Sequence, residues 1–104
     1  MFDTTVMLPK ETAQALVELT GEARVDTALT RVIRDFARQK LMELETGLRQ
    51  FEAKYGMSFE TYRRLWESED RPEYYTFEAE NDYLMWEGLV TRRNRLTGSF
   101  AWLP

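Results

Sequence analysis

The spacing of apolar positions changes along this chain, and each change predicts an element. Residues 2–8 alternate, with Phe2, Thr4, Val6 and Leu8 on one side and Asp3, Thr5 and Met7 on the other. A period of two in a stretch rich in Thr and Val predicts a short strand with one apolar face. Pro9 ends it and suits the first turn of a helix, where a missing N–H costs nothing. Over residues 10–20, Ala13, Leu16, Val17 and Leu19 recur at helical spacing, and Gly21 supplies a stop. A second helix is predicted to begin at 25–27, with Asp26 favourable near the positive end of its dipole. Its expected buried stripe is Val25, Leu29, Val32, Ile33, Phe36 and Ala37.

That stripe does not stop where a compact domain would stop it. Leu41, Leu44, Leu48, Phe51 and Tyr55 follow at alternating spacings of three and four, a heptad seam. A helix over 26–55 is about 45 Å long at roughly 1.5 Å per residue, so it must pack along a partner. Gly47 is its weak point and a place for a bend. Gly56 closes it and Ser58 opens another helix, with Met57 placed to staple onto Tyr62 and with Phe59, Tyr62, Leu65 and Trp66 on its apolar face. Pro72 interrupts, and residues 67–75 read as a loop. Thr76 is the next N-cap, opening a helix to about Leu96; the tail 97–104 reads as extended. The expected organisation is a strand-helix-helix module at 1–45, a helical, partner-binding extension at 46–96, and the tail. The fold class is mainly α with one short N-terminal strand.

Composition narrows the chemistry. The 104 residues contain no cysteine and no histidine. Disulfides, thiolate or imidazole metal sites, cysteine nucleophiles and histidine bases are therefore excluded. There is no Gly-rich phosphate loop, and carboxylate pairs such as Glu78 with Asp82 or Glu45 with Glu52 are read as solvated helix faces. The expectation is a protein that is not an enzyme and uses no cofactor. The first residues lack the pattern of a secretory signal, and no apolar run approaches the roughly 20 residues that span a bilayer. A cytoplasmic protein with no membrane partner is expected. Fourteen basic against 18 acidic residues give a formal charge of −4, which disfavours broad nucleic-acid binding.

A lone amphipathic strand has unpaired edges, and pairing with the same strand of a second chain relieves them. The strand ending in Leu8-Pro9, the glycine turn at Gly21 and the Val25–Leu29–Ile33 spacing, within TTVMLPKETAQALVELTGEARVDTALTRVIRDFARQKL, resemble the ribbon-helix-helix family of dimeric DNA-binding proteins, which includes many antitoxins of bacterial toxin–antitoxin pairs. The resemblance implies a homodimer through the N-terminal strand and operator DNA as a target. Asp3, Thr5 and Met7 would face the groove, and Arg24 and Thr27 would stand near phosphate at the start of the second helix.

The second half has a different character. Twelve of the 14 aromatic residues lie after residue 50, and from 67 to 87 eight acidic residues face one basic, a local net charge of −7. On the last helix Ala79, Tyr83, Trp86 and Val90 form one stripe, and Leu84, Met85 and Leu89 widen it, as in a helix with two partners. Tyr74, Tyr75, Tyr83 and Trp86 are the candidate partner-binding residues, because aromatic side chains with polar tips anchor interfaces and acidic rims steer basic partners. The stretch from YGMSFE (55–60) to DYLMWE (82–87) resembles the C-terminal part of small antitoxin-like proteins. That resemblance implies a segment that neutralises a cognate toxin. The alternative from composition alone is a non-enzymatic α-helical structural or adaptor protein with no DNA target.

Overall fold

A computed structural model describes residues 7–101. Four helices follow in order: α1 (Lys10–Thr20), α2 (Val25–Tyr55), α3 (Phe59–Ser68) and α4 (Phe77–Ser99), with a single 3₁₀ turn at Pro72–Tyr75 between the last two. Their ends follow the local chemistry. Gly21 and Gly56 stop α1 and α2 at φ 74° and 69°, in left-handed backbone that a side chain resists, and each N–H closes back onto the helix it ends. The Ser58 hydroxyl accepts from the N–H of Thr61, and the Thr76 hydroxyl accepts from that of Ala79, capping α3 and α4.

The expected ribbon-helix-helix fold is not what the chain adopts. No strand occurs among the described residues, 83% of which are helical. Met7, Leu8 and Pro9 lead into α1 as irregular chain; the other expected strand positions, Asp3 and Thr5 among them, lie outside the described residues. The physical reason is that the described residues bury their apolar faces helix on helix, with each helix satisfying its own backbone, so they need no paired strand. The tail also differs. Thr97, Gly98 and Ser99 continue α4 as helix, because no proline or capping residue stops the helix at Leu96.

The frame is an antiparallel pair. α2 and α4 run alongside each other: Lys54 at the end of α2 meets Glu78 and Asp82 near the start of α4, while Arg34, Ala37, Arg38 and Leu41 share a hollow with Leu96, Thr97 and Phe100 at the other end. α2 runs unbroken across residue 45. Gly47, expected as a bend, is instead a point of close approach: a Cβ there would lie 3.0 Å from a methyl carbon of Leu89, so the missing side chain lets α4 settle against α2. α1 folds back on the start of α2, and Arg31 ties the turn by donating to the Thr20 carbonyl at 2.6 Å. A radius of gyration of 19.9 Å, against about 13 Å for a compact chain of this size, and extents of 60 × 28 × 23 Å make the molecule a rod.

The core sits at one end of the rod. Trp86 is completely buried, stacked on Phe51, Tyr55 and Tyr62 and meeting Phe59 edge-on, all with ring centroids 5.3–5.6 Å away. Leu48 and Tyr74 complete the cluster, with Met57, Trp66, Tyr83, Leu89 and Val90 around it. At the other end the core thins to Ala28 and Ala37. Leu29, Val32, Ile33 and Phe36, expected to be buried, are exposed there, because α1 and the end of α4 cover other sides of α2.

Candidate partner-binding surface

The acidic, aromatic segment is split by the fold into an inward and an outward set. The 3₁₀ turn sends its two tyrosines to opposite sides. Tyr74 is buried, stacked 4.9 Å from Trp66, whereas Tyr75 is exposed and its hydroxyl donates to the Asp70 carboxylate. Tyr83 is half-buried between Trp66, at 4.6 Å, and Phe59, at 5.3 Å; burial first, and the nearby acid Glu87 after it, raise its phenol above the ordinary range. Trp86 is the centre of the core and presents no surface. Of the four aromatic residues read as partner-binding, the structure thus leaves Tyr75 outside and brings the other three together inside.

Asp82 is also turned inward. Its Oδ2 accepts from Lys54 Nζ at 2.6 Å and from the Tyr55 hydroxyl at 2.5 Å, and Lys54 donates to Glu78 as well, at 2.7 Å. The Lys54 hydrogen bond, followed by that of Tyr55, holds the Asp82 carboxyl below its usual range. Burial, reinforced by Asp82, pushes the Tyr55 phenol far above its own, and the Asp82 and Glu78 hydrogen bonds raise the Lys54 ammonium. The two acids four residues apart on α4, read from sequence as solvated, converge on one ammonium. The arrangement is a clamp between the end of α2 and the start of α4. Both donors meet on the one Oδ2 oxygen of Asp82, which ties the end of α2 to the start of α4.

What remains outside is an apolar face of which the aromatic signal marked only Phe77. Phe77, Leu84 and Met85 are 85%, 66% and 55% exposed. Phe77 and Leu84 lie seven residues apart, hence two turns along the same side of α4, and Met85 is adjacent. Gly88 is exposed one turn beyond Leu84 and leaves the surface flat there. Glu78 and Glu80 flank Phe77, Glu87 follows Met85, and Glu73 and Tyr75 project from the preceding turn. The legible signals were the width of the apolar stripe on α4, through Leu84 and Met85, and Phe77 as one of the aromatic residues among the acids.

Of the expected DNA-contacting residues, Asp3 and Thr5 lie outside the described residues. Met7 is exposed ahead of α1. Arg24 and Thr27 are exposed at the start of α2, where Arg24 is paired at 2.8 Å with Asp26. No strand is present among the described residues to carry the operator-binding expectation. The described residues contain no helix long and apolar enough to cross a membrane.

The fold and this surface define a class: an elongated all-helical protein with an aromatic core at one end and an acidic-rimmed apolar face over that core. No known family model, curated protein or solved structure matches the chain.

Proposed function

We propose that this chain is an antitoxin-type binding protein that neutralises a basic protein partner by laying the outer face of α4 over it. One observation carries the reading: Phe77, Leu84 and Met85 stand exposed in the segment where eight acidic residues face one basic. Exposed apolar side chains inside a charged rim mark interaction sites, since solvent alone gives no reason to keep them there. The acidic rim steers a cationic surface, and the apolar centre supplies the area that water leaves on contact. A catalytic groove that handles nucleic-acid phosphate has this complementary character, with basic walls around a shallow apolar floor. Covering such a groove inhibits without chemistry. Tyr75 adds a phenol at the edge of the face, and the buried cluster around Trp86 holds the supporting helix rigid.

The test is coexpression with the product of the adjacent reading frame. Expression of that product alone is expected to arrest growth, and coexpression of this chain to relieve the arrest through a stable complex. The variant Phe77→Glu/Leu84→Glu/Met85→Glu should keep its helical circular dichroism and lose the relief. A folded triple variant that still protects, or a neighbouring product with no effect on growth, overturns the reading.

A further inference from the structure

A second apolar surface lies at the far end of the rod, away from the α4 face. Leu29, Val32, Ile33 and Phe36 of α2 are 37%, 39%, 40% and 57% exposed. At spacings of three, four and seven they form one side of the helix. α1 covers the side of α2 that holds Ala28, and the end of α4 covers the side that holds Ala37 and Leu41, so the stripe runs open between them. No charged residue falls within it.

We propose that two copies of this chain pair through this stripe, with their α2 helices antiparallel about a two-fold axis between Val32 and Ile33. The four side chains are placed symmetrically about that point. An axis there sets Leu29 against Phe36 of the partner subunit and brings Val32 and Ile33 each beside its own copy at the centre, so both halves of the contact are apolar and self-complementary, as an isologous interface requires. The charges at the ends agree. Asp26 and Lys40 lie on the same edge of the stripe at nearly equal distances from its centre, and the two-fold brings Asp26 opposite the partner's Lys40 twice. Each already holds an exposed ion pair within its own chain, Asp26 with Arg24 at 2.8 Å and Lys40 with Glu43 at 3.2 Å, and the contact exchanges those partners for each other. A parallel pairing would instead put Asp26 beside Asp26 of the partner subunit, with no compensating cation. The dimer supplies the apolar cover that the thin core around Ala28 and Ala37 lacks.

Sedimentation of the full chain is expected to give twice 12.4 kDa. Val32→Glu/Ile33→Glu should weaken the dimer by at least about tenfold, since it puts charge at the centre of the contact, while circular dichroism stays helical. Asp26→Lys alone should weaken it and Asp26→Lys/Lys40→Asp should restore it, a rescue that a merely unfolded variant cannot show. Because the chain has no cysteine, single introduced thiols report orientation. Leu29→Cys and Phe36→Cys should cross-link to each other when mixed, and neither to itself. A monomer at all concentrations, self-linking of Leu29→Cys, or a monomer whose stripe binds anionic lipid vesicles instead overturns the proposal.

Discussion

At the scale of single residues, Trp86 and Asp82 carry the most. Trp86 meets four aromatic rings, so Trp86→Ala opens a cavity that side-chain relaxation fills only in part, at a cost of about 3–5 kcal/mol, read as a lower urea midpoint and a lost near-ultraviolet signal. Its indole N–H has no hydrogen-bond acceptor. Trp86→Phe is therefore expected to cost far less than alanine, since it keeps a ring and removes an unsatisfied donor. Asp82→Ala strands the Tyr55 hydroxyl at the helix pair's edge, at about 1–3 kcal/mol. The pH dependence follows from directions of shift. A carboxyl held low in the folded state stabilises above its unfolded value, near 3.9, and that contribution disappears as pH falls through the lower folded value. A phenol held high stabilises fully below its unfolded value, near 10, and the contribution is lost as pH rises through the higher folded value. The urea midpoint should be flat between about pH 5 and 9. Asp82→Asn should flatten the acid limb; an unchanged limb would remove Asp82 from the account.

At the scale of elements, the two left-handed glycines and the close contact at Gly47 decide where helices stop and meet. Gly56→Ala places a Cβ in a backbone region that L-residues resist and is expected to cost about 1–2 kcal/mol, with no change in the spectrum of the folded state. Gly47→Leu wedges α2 from α4 at Leu89, and thermal melting should show a loss of about 1–3 kcal/mol. Most of the ion pairs are exposed, such as Arg64 with Glu60 and Arg49 with Glu45, and each adds only a few tenths of a kcal/mol. The helices are consequently held by ring packing at one end of the α2–α4 pair and weakly at the other. Hydrogen exchange should be slowest around Leu48 and Trp86 and faster toward Phe36.

For the whole molecule, a rod with two apolar surfaces at separate ends can serve two contacts at once. On the proposed function the acidic face over α4 steers a basic partner by charge, so the rate of that association should fall as salt rises, within the screening length of about 10 Å at 0.1 M. The α2 stripe is uncharged at its centre and carries only two exposed ion pairs at its ends, so its self-association should fall less over the same range. Titrating both against salt separates the two surfaces in a single preparation.

Helix positions were readable from the chain because their signals are local. Pro9, Gly21, Gly56, Ser58 and Thr76 punctuate the sequence by backbone geometry and capping, which do not depend on what packs where. The acidic charge of residues 67–87 and the absence of cysteine and histidine were equally plain. What faces what was not legible. Leu29, Val32, Ile33 and Phe36 have the spacing of a core, yet α1 and α4 cover other sides of the same helix. Tyr74 and Tyr75 are neighbours in sequence, and the 3₁₀ turn buries one and exposes the other. Asp82 reads like seven other acids, and only the antiparallel pairing of α2 with α4 gives it Lys54 and Tyr55. Periodicity shows that a helix has an apolar side; which neighbour covers that side is a long-range matter, and in this chain it turned Leu29, Val32, Ile33 and Phe36 of the expected α2 stripe outward and Tyr74, Tyr83 and Trp86 of the expected aromatic interface inward.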